Sequence, residues 1–126
     1  MSRPLVCVIE DYADSRVLIT AVLANAGLDV VSAEDGSELD AIIATGKEPR
    51  LFLIDLSLPG EDGTSILRRL RGDTRFRDTP MVALTAHAMA GDEERGRAAG
   101  FDDYITKPID VGTLPARLTG LLNAGA

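Results

Sequence analysis

The sequence predicts an α/β fold in which a five-stranded parallel sheet is covered by helices on both faces. Three observations predict it. Five short apolar, β-branched runs recur along the 126 residues. Three of them, LVCVI, LFLI and MVAL, are nearly continuous rather than alternating, the pattern of strands buried on both faces. Segments with helical periodicity separate the runs, and regular alternation of strand and helix signals marks βα units. Right-handed crossovers restrict the topologies to a few, but spacing alone leaves the strand order open.

The first strand is expected at Leu5–Glu10. A helix follows over Ala13–Ala26, with Val17, Leu18, Ala21, Val22 and Ala24 read as its apolar stripe and Gly27 as its C-terminal stop. The second strand is expected at Asp29–Ala33. Leu39, Ile42 and Ile43 give the next helix its buried side, ahead of Gly46. The third strand is Leu51–Asp55, followed by a helix over Thr64–Leu70 with Ile66, Leu67 and Leu70 facing inward. The fourth strand is Met81–Thr85. The helical segment after it, roughly Ala88–Ala99, is weak, because Gly91 and Gly96 each cost up to about 1 kcal/mol relative to Ala. The fifth strand is Asp103–Thr106, and the last helix carries Leu114, Leu118, Leu121 and Leu122. Asp110 looks like its cap, but Pro115 would then fall inside the helix and remove a hydrogen bond. That helix therefore starts near Thr113 or has an irregular first turn.

The chain carries 13 Lys+Arg against 20 Asp+Glu, a formal charge of -7, with 45% apolar and 26% charged residues. Such a composition is that of a globular domain of ordinary size, and a single domain over residues 1–126 is expected. The acidity argues against nucleic acid, which needs a basic face, and favours a cation or a basic partner. One cysteine, Cys7, excludes an internal disulfide framework and a cysteine zinc cluster. No apolar run reaches the roughly 18 residues of a membrane span, and the N-terminus lacks the features of a secretory signal. The expected location is cytoplasmic, with no membrane partner.

In an open parallel sheet, ligands bind beyond the carboxyl ends of the strands. The first run ends in Glu10-Asp11, the third in Asp55 and the fourth in Thr85. The fifth leads to Lys107-Pro108. Three carboxylates, a hydroxyl and an ammonium thus converge on one edge. Carboxylates so placed repel one another unless a cation is present. Oxygen ligands without His or Cys favour a hard ion such as Mg2+. An aspartate beside that ion, a hydroxyl and a lysine is suited to accept a phosphoryl group.

These segments make the chain resemble the receiver domains of two-component response regulators. The resemblance rests on Glu10-Asp11, on Asp55-Leu56-Ser57-Leu58-Pro59-Gly60-Glu61-Asp62-Gly63, on Leu84-Thr85-Ala86 and on Asp103-Tyr104-Ile105-Thr106-Lys107-Pro108. They occur in the family's order and roughly its spacing over almost the whole chain. The likeness implies a flavodoxin-like (βα)5 sandwich with strand order 2-1-3-4-5. It implies that Asp55 is the phosphoacceptor and that Thr85 and Lys107 bind the phosphoryl group. Asp11, Asp55 and the backbone carbonyl of Ser57 would hold Mg2+, with Glu10 in support. Thr85 and Tyr104 would be the switch residues, and the Lys107–Pro108 bond would be cis. The implied phosphoryl source is a histidine kinase or phosphotransfer protein. The implied output is a protein partner on the face of the fourth helix, fifth strand and fifth helix. Such a domain assists its own phosphorylation and dephosphorylation rather than turning over a substrate. Ser57 and His87 occupy positions that vary in the family and influence phosphoryl lifetime, and Leu58 replaces a frequent Met.

Asp11 and Asp55 could cap the helices that follow them, Thr85 could be plain strand, and Tyr104 core filler. Lys107 could be a solvated surface lysine. It is, however, one of two lysines in a chain with eleven arginines, so lysine before proline points to a specific role. His87, the sole histidine, reads as an exposed or capping residue. Arg68, Arg69, Arg71, Arg75 and Arg77 form a cluster interrupted by Asp73 and Asp78, read as a solvated face open to a partner. A phosphorylation-independent adaptor and a phosphorelay intermediate are the alternatives within the receiver class. An aspartate-dependent phosphatase usually places a second Asp two residues on, where this chain has Ser57. A flavin site needs a phosphate-cradling loop after the first strand, where this chain has acid.

Overall fold

The computed structural model describes residues 3–58, 60–86 and 99–124. Five strands run in order: β1 Leu5–Ile9, β2 Asp29–Ala33, β3 Leu51–Asp55, β4 Met81–Thr85 and β5 Asp103–Thr106. The helices are α1 Ala13–Asn25, α2 Gly36–Ala44, α3 Gly63–Arg71 and α4 Leu114–Ala124, with a short 3-10 turn at Thr74–Phe76. The segment at 88–99 that the sequence reads as helical, with Gly91 and Gly96, falls mainly outside the described residues, as does His87. All strand pairs are parallel, in the order β2-β1-β3-β4-β5. This is the flavodoxin-like arrangement, and its strand order reverses direction beside β1.

Alternation along each strand divides the core in two. Cys7, Ile9, Phe52, Ile54, Met81, Ala83 and Tyr104 point to the side covered by Leu39 of α2 and Ile66, Leu67 and Leu70 of α3. Val6, Val8, Leu51, Leu53, Val82, Leu84 and Ile105 point to the side covered by Ile19 and Leu23 of α1 and Leu114, Leu118 and Leu122 of α4. Burial on both faces explains why these runs read as unbroken apolar stretches. Burial also raises the Cys7 thiol to about 12, so this cysteine packs as a small apolar side chain.

Helix α1 corrects one expectation. Its buried residues are Ile19 and Leu23, while Val17 is 66% and Leu18 49% exposed. Apolar residues occur on nearly every side of this helix, so their periodicity does not set its rotation. The i, i+4 pair Ile19–Leu23 forms the ridge that docks. Its end is as expected. Gly27 takes φ 94°, and Leu28 N–H donates to Leu23 O at 3.1 Å while Gly27 N–H donates to Ala24 O at 3.2 Å, a Schellman closure. At the other end of the chain, Asp110 shapes a turn rather than a cap. Its side chain accepts from Gly112 N–H at 2.9 Å, and α4 begins at Leu114. Pro115 thus sits in the first turn, where its missing N–H costs no helical bond.

Arg71, at the end of α3, ties the lower edge together. Its guanidinium donates to the carbonyls of Phe76, Arg77, Thr79 and Gly100 and pairs with Asp102 at 3.0 Å. Asp102 in turn accepts from Met81 N–H at 2.9 Å. This fork fixes β5, which leads into Lys107, against β4. Replacing Arg71 by Met should cost about 2 kcal/mol, because several carbonyls lose a charged donor. Lysine, with one point charge and no planar fork, should recover less than half of that. Thermal unfolding of Arg71→Met and Arg71→Lys checks the order.

Candidate functional site

The fold delivers four strand ends to one edge. Asp55 is the last residue of β3 and Thr85 the last of β4. Glu10 directly follows β1, and its N–H still bonds to Ala33 O at 3.0 Å. Lys107 directly follows β5, and its N–H donates to Thr85 O at 2.7 Å. The Lys107–Pro108 bond is cis. Glu10, Asp55 and Thr85 are the buried polar or charged residues among those described, at 0%, 2% and 4% exposure.

Lys107 connects them. Its Nζ donates to Glu10 Oε1 at 2.7 Å and to Asp55 Oδ2 at 2.8 Å. The other oxygen of Asp55, Oδ1, accepts from Ser57 N–H at 2.7 Å. Carboxylate oxygens of Glu10, Asp11 and Asp55 lie within 4.8 Å of one another. Burial pushes Glu10 up to about 7, with neighbouring Asp55 adding to the shift and Lys107 opposing it. For Asp55 burial also acts upward. Glu10, Lys107 and Ser57 N–H outweigh it and hold this carboxyl below its usual value. Burial works against the Lys107 ammonium, but its two carboxylate partners raise it. Of the two buried acids, Glu10 is therefore held above the usual carboxylate range and Asp55 below it.

The residues present fit a divalent cation. Glu10 Oε2 is buried with no hydrogen-bond partner, and a lone buried carboxylate oxygen requires a partner. Asp11 is exposed at the mouth of the same cluster. All three donors are carboxylates, the ligand type of Mg2+.

Each expected site residue has a definite place. Glu10, Asp11, Asp55 and Lys107 are brought together as described. Ser57 reaches Asp55 through its backbone, in the loop between β3 and α3. Thr85 ends β4 in register with Thr106, and Tyr104 lies opposite Ala83. Tyr104 is 8% exposed and packs in the core with Phe101 and Ala83. The arginine cluster is more committed than a solvated face. Arg69 pairs with Glu61 at 2.9 Å and Asp40 at 2.7 Å, Arg71 with Asp102, and Arg75 with Asp73 at 2.8 Å.

Gly63 is a site residue whose role sequence reasoning missed. A Cβ there would overlap the backbone carbonyl oxygen of Asp55 and come within 3.0 Å of Leu56 Cα. Only glycine lets α3 start this close to the acceptor strand. Asp62-Gly63 closes the segment that carries the family resemblance, but its close approach to the Asp55 backbone is a packing fact that residue pattern does not show. Gly120, inside α4, has nothing within 4 Å of its Cβ direction. Gly63→Ala should cost about 1–3 kcal/mol in urea unfolding, since backbone must move. Gly120→Ala should stabilise by about 0.4–1 kcal/mol.

Comparison with known proteins agrees with this geometry. The family model for the response regulator receiver domain matches residues 6–119. The DNA-binding dual master transcriptional regulator RpaA of a Synechocystis strain is 40% identical over 119 residues, 94% of this chain and 49% of that protein. The polar-differentiation response regulator DivK of Brucella anthropi is 36% identical over 107 residues, 84% of this chain and 85% of that protein. The chain spans about half the length of the first curated relatives it matches. The receiver domain of sensor histidine kinase PA1611 from Pseudomonas aeruginosa, solved with magnesium coordinated in its active-site cleft, superposes with a TM-score of 0.85. It is 30% identical, covering 97% of this chain and 99% of that one.

Proposed function

Because the chain belongs to the response regulator receiver domain family, we propose that Asp55 accepts a phosphoryl group from a phosphohistidine on a histidine kinase or phosphotransfer protein. One observation carries this reading: a nearly buried aspartate hydrogen-bonded at 2.8 Å to the ammonium of Lys107. A carboxylate oxygen of Asp55 attacks phosphorus, the new P–O bond forms as the P–N bond breaks, and the imidazole leaves with the electron pair of that bond. Asp55 is ready to attack because the Lys107 ammonium favours its ionised form and Ser57 N–H orients the carboxylate. Lys107 stands where negative charge arrives on the phosphoryl oxygens, and the Thr85 hydroxyl offers a further donor. Asp11, Asp55 and the Ser57 carbonyl, with Glu10 in support, would hold Mg2+, which when bound would supply charge neutralisation for the transferring group.

Signalling follows from the same residues. Thr85 and Tyr104 lie on adjacent strands, β4 and β5, so a change at Thr85 has a short route to Tyr104. The output surface in this proposal comprises β5, α4 and the segment at 88–99, and its target is another protein. No helix among the described residues is long and apolar enough to cross a membrane.

The test is incubation with a small acyl phosphate and Mg2+, followed by intact mass. The native chain should gain one phosphoryl group, and a chelator should suppress the gain. Asp55→Asn should gain none. Equal phosphorylation of Asp55→Asn would overturn the assignment. Lys107→Met should still fold and bind Mg2+ but be phosphorylated at least about tenfold more slowly, since loss of one preorganised donor to developing charge typically costs roughly 100- to 1000-fold. Stopped samples over a time course give that ratio.

A further inference from the structure

We infer that Arg16 is a positioning residue for the acidic pair Glu10–Asp11, holding their backbone so that both carboxylates face the cation site. This inference rests on the proposed reading of Glu10, Asp11 and Asp55 as that site.

Arg16 is the fourth residue of α1 and its side chain folds back toward the loop after β1. Its Nη1 donates to the carbonyl of Glu10 at 2.9 Å and reaches the carbonyl of Asp11 at 3.4 Å. Its Nη2 reaches Glu34 Oε1, in the loop after β2, at 3.4 Å. One guanidinium thus spans the two consecutive carbonyls of the acidic pair and the neighbouring loop. Its side chain is 18% exposed against 56% for Glu34, so it is committed to the loop rather than to solvent.

Two physical arguments make this placement more than packing. A cation near a helix N-terminus opposes the macrodipole, at a cost of about 0.3–1 kcal/mol. A guanidinium also has no acceptor to offer the free N–H groups of a helix start, so Arg16 is not serving that end of the helix. What it gains is contact with the segment that carries two of the three crowded carboxylates. Glu10, Asp11 and Asp55 crowd within 4.8 Å, and Asp11 is exposed on a short loop with no strand pairing. Tethering the carbonyls of residues 10 and 11 fixes the peptide between the two carboxylates, and so the angle at which both approach a shared ion. Groups that orient ligands from behind typically change metal affinity by about 10- to 100-fold.

Charge and geometry predict opposite signs, which makes the inference testable. Removing a nearby positive charge should tighten cation binding, whereas releasing the loop should weaken it. The experiment is calorimetric titration of Mg2+ into the native chain, Arg16→Gln and Arg16→Lys, with thermal unfolding in chelator to establish that each variant folds. The inference expects Arg16→Gln to bind Mg2+ roughly tenfold more weakly, with Arg16→Lys in between, because an ammonium can hold one carbonyl but not span both. Equal or tighter binding by folded Arg16→Gln overturns it, as does unchanged affinity beside a lowered Tm. If Arg16→Gln fails to fold, Arg16→Lys decides alone, with weaker binding supporting the inference and native affinity overturning it. Absence of Mg2+ binding by the native chain would instead overturn the reading of the site beneath it.

Discussion

The upper edge of this sheet depends on a single ammonium. Lys107 Nζ lies 2.7 Å from Glu10 and 2.8 Å from Asp55, so it joins the ends of β5, β1 and β3 at once. Two like charges about 4 Å apart repel by roughly 4 kcal/mol at an effective dielectric of about 20. Three carboxylates within 4.8 Å therefore cannot all be ionised and uncompensated in a domain of ordinary stability. The structure relieves the repulsion twice. Lys107 pairs with the two buried acids, and burial raises Glu10 to about 7, so that it gives up its charge more readily than an exposed carboxylate. Neither device fully occupies the site, because Glu10 Oε2 has no partner. A bound cation would give that oxygen its partner.

The rest of the fold serves that edge. The short parallel strands set the heights of Asp55 and Thr85. Lys107 reaches the acids because its backbone bonds to Thr85 O and because Arg71 fixes the other end of β5 against β4 and α3. Gly63 brings α3 close behind Asp55. Arg69 clasps Glu61 and Asp40 and so ties the β3–α3 loop to α2. Few of these contacts are strong individually, since exposed pairs contribute about 0–1 kcal/mol. Together they limit how far the loops around the acids can move.

Much of this was legible in the chain. Continuous apolar runs ending in Glu10, Asp55 and Thr85 announced strands with chemistry at one edge, because burial on both faces removes the polar alternation of an exposed sheet. Gly27 and Pro115 marked helix ends by backbone geometry that no neighbour overrides. The strand order came from likeness to a family, since spacing leaves topology open. What could not be read depends on partners distant in sequence. Val17 and Leu18 look like core but face outward, because α1 is apolar nearly all round and the sheet selects Ile19 and Leu23. Three of the five clustered arginines look free in one dimension and are paired in three. Gly63 and Arg16 act through the backbones of Asp55, Glu10 and Asp11, and backbone contacts leave no mark on residue pattern.

The central claim is that Lys107 offsets the repulsion of three crowded carboxylates and that a divalent cation can take over that task. The most direct test is the unfolding free energy of the native chain and Lys107→Met, each with chelator and with saturating Mg2+. The account predicts that Lys107→Met loses about 1–2 kcal/mol in chelator, less than for a fully buried pair because Lys107 is partly exposed and Glu10 can take a proton. It predicts a larger stabilisation by Mg2+ in the variant than in the native chain, because a competing cation is gone. Equal stability in chelator, with the same Mg2+ increment in both proteins, would contradict it.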